Sequence, residues 1–172
     1  MKRYTPTLFL LLLQLVIATS ALAQGFPYHL YDTRTLGELV DLNVAAIQAP
    51  LDEKSKQIMI SANPFYSAIR LEYGGQSRVV PKERIGLFKL WGESMRIKTD
   101  RGIDPLELIE KEYLFRECGK EYWIPVQKPA ARDLPTDLKS GDKITLYIMM
   151  VGGTETKGKW DWMFFTNSFK VY

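Results

Sequence analysis

The sequence predicts an α+β, β-dominant fold: a small antiparallel barrel or sandwich with an N-terminal helix. Short runs rich in apolar and β-branched residues recur between Gly, Asn and Pro turn signals from residue 58 to the end of the chain, a pattern typical of barrels and sandwiches. A helix start signal precedes them at Thr35. The chain has 172 residues, enough for one domain that buries its own core without disulfides.

Residues 1–23 have the three-part layout of a secretory signal peptide. Lys2 and Arg3 precede an apolar run over residues 8–18, and the small-residue signature Ala21-Leu22-Ala23 follows. The run is about half the roughly 20 residues that a membrane span needs. We therefore expect cleavage after Ala23, a periplasmic or secreted product, and no transmembrane segment after cleavage. Residues 24–172 are then one domain, with an entry segment and helix over 24–50 and a β-rich body over 51–172.

Composition narrows the class of protein. The signal carries two of the 23 basic residues and none of the 20 acidic ones, so the mature formal charge is +1. Such near-neutrality argues against a dedicated nucleic-acid binder, which would show a strong positive excess. The single cysteine, Cys118, cannot form an intramolecular disulfide. That absence fits a bacterial periplasmic protein better than a small eukaryotic secreted domain.

The first predicted element of the mature chain is a helix. Thr35 and Glu38 have the spacing of a capping box, and Pro50 supplies a stop. Apolar residues follow Thr35 at intervals that fit one helical face: Leu36, Leu39, Val40, Val44 and Ile47.

Strands are predicted next. A short strand over residues 58–60 ends before Asn63-Pro64, and Gly74-Gly75 is interpreted as the turn of a hairpin joining residues 67–73 to 78–80. Residues 81–99 suit neither period, although Met95, Ile97 and Thr99 alternate as in an edge strand. Asp104-Pro105 predicts a helix start of at most two turns.

The strongest local pattern is a hairpin over residues 113–127. A type II′ turn at Gly119-Lys120 would pair Cys118 with Glu121, and Arg116 with Trp123 as a cation–π pair. Alternation then separates two faces. The first contains Tyr113, Phe115, Tyr122, Ile124 and Val126, and the second contains Leu114, Arg116, Cys118, Glu121 and Trp123.

The last third of the sequence predicts a turn over residues 138–142 and a strand over 143–151. Because this strand is apolar on both faces, we expect it to be central in its sheet. A polar loop over 152–159 leads to a final strand over 160–166. On that strand Trp160, Trp162 and Phe164 share one face, and Asp161, Met163 and Phe165 share the other.

No catalytic or metal-binding group is predicted. His29 is the only histidine, and a zinc site takes three or four ligands, so we expect no metal or cofactor. Cys118 lies near carboxylates and is predicted to be a passive free thiol. The acidic residues still leave open an alternative, an envelope glycan hydrolase that uses paired carboxylates; they are Glu107, Glu110, Glu112 and Asp161.

The leading expectation is an exported, non-catalytic protein that binds a protein or polysaccharide of the cell envelope; a structural or inhibitor-like module is a further alternative. Tryptophans anchor interfaces, and the basic strip over residues 78–101 could meet an anionic partner. Core filling and internal charge complementarity are the competing interpretations of these two features. The candidate binding residues are Trp160, Trp162, Trp123, Arg116, Arg96 and Lys98.

Overall fold

A computed structural model describes residues 26–46, 58–63, 65–95 and 105–172. It confirms the predicted fold class: the described residues form a β-dominant structure with seven strands and three α-helices, one of them near the N-terminus. The predicted signal peptide and two candidate residues, Arg96 and Lys98, lie outside the described residues. No helix in the described part of the chain is long and apolar enough to span a membrane.

The helices are α1 (Leu36–Ala45), α2 (Lys82–Ser94) and α3 (Lys128–Asp137), and two 3-10 turns occupy Tyr28–Leu30 and Pro105–Leu108. The strands are β1 (Asp32–Thr33), β2 (Ile58–Ile60), β3 (Ser67–Val79), β4 (Ile109–Glu117), β5 (Lys120–Gln127), β6 (Lys143–Thr156) and β7 (Lys159–Val171).

Five of the strands form a closed ring of hydrogen-bonded pairs. The sheet order is β1-β3-β4-β5-β7-β6-β2, and a further pairing of β3 with β6 closes the ring. The β1–β3 and β5–β7 pairs are parallel and the others antiparallel, so the sheet is mixed. Counted along the chain, the ring strands run 1-2-3-5-4-1 with α3 between the third and fourth.

The N-terminal helix begins as predicted. The Thr35 hydroxyl accepts from the Glu38 N–H at 3.1 Å, and the Glu38 carboxylate accepts from the Thr35 N–H at 2.8 Å. The buried face differs from the prediction, because Asn43 is buried while Val44 is exposed. Asn43 donates to the Leu39 carbonyl and accepts from Ser61, which ties α1 to the end of β2. The helix ends at Ala45, and the predicted residues Ile47 and Pro50 lie outside the described residues.

Two hydrophobic cores lie on the two faces of the sheet. The main core fills the ring, where Leu36 and Leu39 of α1 and Leu134 of α3 join inward-facing strand residues. The second core lies on the outer face, where α2 packs Leu87, Phe88 and Trp91 against β6 and β7. Strand β6 is buried on both faces, as predicted, because it contributes side chains to both cores.

The prediction of a hairpin turn at Gly74-Gly75 is wrong. Strand β3 continues through both glycines and exchanges partners there, from β6 over its first half to β4 over its second, with a bulge after Tyr73. Glycine is needed at this bend because a Cβ atom at Gly74 would lie 2.7 Å from the Leu114 side chain. Gly75 has φ of 73°, which side chains disfavour.

The hairpin over residues 113–127 exists with a different turn. Cys118 and Gly119 both have positive φ, as a type I′ turn requires, so the predicted turn at Gly119-Lys120 is wrong. The observed strand pairing differs from the predicted pairing by two residues. An even shift leaves each strand residue on its predicted face. Arg116 consequently pairs with Glu121, and Trp123 with Leu114.

Other local predictions were incomplete. The polar loop predicted over residues 152–159 is mostly strand, because β6 continues to Thr156 and a tight turn at Lys157-Gly158 leads into β7. Residues 82–94 form helix α2, and α3 was not predicted at all. Met95, predicted to begin an edge strand, is instead the C-cap residue of α2. The other residues of that predicted strand, Ile97 and Thr99, lie outside the described ranges.

Gly152 provides a test of the β2–β6 pairing. A Cβ atom there would overlap the backbone oxygen of Met59, which cannot move without separating the strands. We expect Gly152→Ala to lower the free energy of unfolding by about 2 kcal/mol or more, measured by urea denaturation. Gly92→Ala is the control: nothing lies within 4 Å of its Cβ position in α2, and we expect a gain of up to about 1 kcal/mol. Equal stabilities would contradict the pairing.

Candidate functional site

The two tryptophans of β7 lie side by side on the inner face. The rings of Trp160 and Trp162 are parallel, with centroids 4.6 Å apart. They cover Gly153 on the neighbouring strand, where a Cβ atom would overlap the Trp162 ring. Both rings are half-buried and pack against the main core. The pair therefore closes one end of the core while keeping part of its surface in water.

Trp123 and Arg116, predicted to pair with each other, have other partners. The guanidinium of Arg78 lies 4.1 Å from the centroid of the Trp123 ring. Arg116 forms ion pairs with Glu121 at 3.1 Å and with Glu72 at 3.5 Å. The predicted cation–π pair is wrong because the hairpin register moves Arg116 away from Trp123. Among the described residues, no ring contact joins Trp123 to Trp160 or Trp162, so these candidates do not form one site.

A buried ionic network lies behind Trp123. Arg84 of α2 donates to Glu112 at 3.0 Å, to the Trp123 carbonyl at 2.6 Å and to Asp161. Glu112 has no exposed side-chain surface and also pairs with Arg78. The carboxylates of Glu112 and Asp161 thus share one guanidinium. The oxygens of Glu112 are enclosed and already bound, so a substrate cannot reach this carboxylate, whereas the Asp161 side chain is exposed.

Arg116 lines a groove of about 560 Å³ beside the β4–β5 turn, with Glu117, Cys118, Arg70, Leu71, Glu72, Lys143 and Tyr172. Burial raises the pKa of Glu117, while the hydrogen bond from the Leu36 N–H acts in the opposite direction. Both carboxylate oxygens accept from that N–H, at 3.0 and 3.1 Å, so Glu117 fastens the first turn of α1 to β4. Cys118 is a free, exposed thiol.

The most exposed aromatic cluster lies elsewhere, at the start of the described chain. We name it the tyrosine surface. Tyr147 of β6 lies at its centre, with its ring centroid 4.7 Å from Tyr28, 5.4 Å from Tyr31 and 5.5 Å from Phe26. Tyr66 extends it, 5.2 Å from Tyr31. Five rings from three separate stretches of sequence are therefore continuous.

Backbone pairing builds this surface. The Asp32 N–H donates to the Tyr66 carbonyl at 3.2 Å, and β1 runs parallel to the start of β3. Arg34 reinforces the contact by donating to the same carbonyl at 3.2 Å. Asn167 of β7 donates to the Tyr31 hydroxyl at 2.7 Å. The entry segment is thereby held against the sheet with its aromatic rings aligned.

The tyrosine surface has a buried base and an exposed rim. Tyr147 is 9% exposed, whereas Tyr28 is 46% and Tyr66 36% exposed. Burial raises the pKa of Tyr31 and of Tyr147, so both phenols are neutral at physiological pH. Leu30, which is 54% exposed, lies in the 3-10 turn between Tyr28 and Tyr31. The rim thus combines two aromatic rings with one aliphatic side chain, all open to solvent.

Within the described ranges, no group of three or more His, Cys, Asp and Glu side chains is placed to hold a metal ion. His29 is exposed in the 3-10 turn. Comparison of the chain with protein-family models, with curated proteins and with solved structures finds no match.

Sequence reasoning missed the tyrosine surface. The entry segment shows no period, although Phe26, Tyr28 and Tyr31 fall within six residues. That density of aromatic residues in an irregular segment was the available signal. Tyr147 lies on the outer face of a strand predicted to be buried on both sides, and nothing local connects it to the entry segment.

The tryptophan pair can be tested for a structural role. Because both rings pack on the main core, we expect Trp160→Ala combined with Trp162→Ala to lower the free energy of unfolding by on the order of 2–4 kcal/mol, measured by urea denaturation. An unchanged melting temperature accompanied by loss of partner binding would show instead that the pair is a recognition patch.

The ionic network makes a second prediction. Arg84→Met leaves Glu112 buried with one partner fewer, and we expect a cost of about 3–5 kcal/mol in unfolding free energy. Arg84→Met together with Glu112→Gln should cost less than the sum of the single changes. Arg116→Met, which removes more exposed ion pairs, is the control, with a cost of about 0–1 kcal/mol. Similar losses at the two arginines would contradict the argument.

Proposed function

We propose that the mature chain is an exported, non-catalytic binding protein of the bacterial cell envelope, and that its tyrosine surface binds a protein partner. The observation that carries this proposal is the continuous set of five rings with an exposed rim at Tyr28 and Tyr66. Tyrosine is enriched among the residues that dominate binding energy at protein interfaces. Export rests on the signal-peptide pattern of residues 1–23.

The rim favours a protein over a strongly charged polymer. Exposed Leu30 adds an aliphatic side chain beside the rings, and an aliphatic contact suits an apolar side chain of a partner. The buried base supports the exposed rings: Tyr147 contacts Tyr28 edge to face, and Tyr31 is fixed by Asn167. A rim held in this way loses little conformational entropy on binding, which raises affinity for a given area.

The test is retention of a defined envelope protein by the tagged mature chain, compared with Tyr28→Ala/Tyr66→Ala. We expect this variant to lose affinity by about tenfold or more while its melting temperature falls by only a few degrees, since each ring contact contributes about 0.5–1.5 kcal/mol. Val79→Ala/Leu90→Ala is the matched control, because it removes exposed apolar side chains from β3 and α2.

The outcomes separate the alternatives. Retention that survives protease treatment of the envelope fraction, yet still depends on Tyr28 and Tyr66, would replace the protein partner with a polysaccharide. Retention that is equal in the variant and the control would show that the tyrosine surface is not the docking site. If nothing is retained by the unmodified chain, the proposed function is wrong.

A further inference from the structure

A cavity of about 630 Å³ lies where α3 packs beside β4. Its lining residues come from these two elements: Glu110, Lys111 and Tyr113 from β4, and Lys128, Ala131 and Arg132 from α3. The volume is within the range of about 300–1,000 Å³ that holds small ligands in proteins. The cavity shares no residue with the tyrosine surface.

Two lysines line this cavity from its two sides, Lys111 on β4 and Lys128 on α3, with Glu110 next to Lys111. The mature chain around them has a formal net charge of only +1. Among the described residues, neither Lys111 nor Lys128 takes part in an ion pair, as is the case for most lysines of the chain. Like charges gathered in a concave site repel one another, and a bound anion offsets that repulsion.

The floor of the cavity is fixed. Tyr113 is 3% exposed and its ring belongs to the main core. Its hydroxyl donates to the Ala131 carbonyl at 3.2 Å, a bond that ties α3 to β4. Lys111 and Lys128 therefore stand on two elements whose separation is set by a buried contact.

We propose that this cavity binds a small oxyanion, a phosphate or carboxylate group carried on a polar body the size of one sugar. An ammonium group is a compact charge with three donors that suits either oxyanion. Lys111 would bind the anion from the strand side and Lys128 from the helix side. The aromatic edge of Tyr113 and the Ala131 methyl would form the apolar wall against the body of the ligand.

The experiment titrates the mature chain with glucose 6-phosphate, glucuronate, inorganic phosphate and glucose, followed by amide chemical shifts. We expect the anions to shift amides of β4 and α3 and glucose to shift none. Stronger binding of glucose 6-phosphate identifies the phosphate as the recognised group, and stronger binding of glucuronate identifies the carboxylate. Either affinity should fall with added salt, because the interaction is electrostatic.

The decisive variant is Lys111→Gln/Lys128→Gln, for which we expect the anion affinity to fall by about tenfold or more. Lys89→Gln/Lys120→Gln removes the same charge from exposed positions on α2 and β5 and should bind as the unmodified chain does. The proposal is overturned if no anion binds, or if both variants lose affinity equally. Tyr28→Ala/Tyr66→Ala should leave anion binding unchanged, so this result stands apart from the proposed function.

Discussion

The ring of strands has its weakest backbone pairing between β5 and β7, where side chains cross in place of a ladder, among them Gln127 of β5, which donates to Asn167 of β7 at 2.8 Å. Strands β5 and β7 share one parallel register pair, Val126 with Thr166, so the ladder leaves most of this joint unpaired. Arg84 crosses it, binding the Trp123 carbonyl on β5, Asp161 on β7 and Glu112 on β4. A guanidinium suits this position because its planar fork serves several acceptors at once. Helix α2, held by the second core, is therefore part of the closure of the sheet.

Several residues that could look functional in the sequence instead help to close the ring of strands. On sequence alone, Glu112 and Asp161 could be a pair of catalytic acids. In the structure both carboxylates form ion pairs with Arg84. The rings of Trp160 and Trp162 replace the side chain that Gly153 lacks. Buried ion pairs are costly to break and contribute little net stability when complete. Their value here is positional, since they fix α2 over the outer face. The exposed rim of the tyrosine surface and the two lysines of the cavity, by contrast, take part in none of these ion pairs.

The features that depend only on residues close in sequence could be predicted. The capping box at Thr35 and the two faces of the β4–β5 hairpin follow from spacing and alternation alone, and both were predicted correctly. The glycine pairs were misread because their reasons are distant: Gly74 makes room for Leu114, and Gly152 for the backbone of Met59. A turn and a close approach between strands require the same residue type. Only the partner strand distinguishes them.

The same limit applies to the candidate sites. Sequence composition predicts a nearly neutral mature chain, but an average cannot show where charge gathers. Lys111 and Lys128 are 17 positions apart in the sequence and line one cavity because α3 packs beside β4. The strand order does not choose between ligands either, since function belongs to sites and not to folds. The anion site proposed above depends on the packing of α3 beside β4, which neither segment of sequence shows by itself.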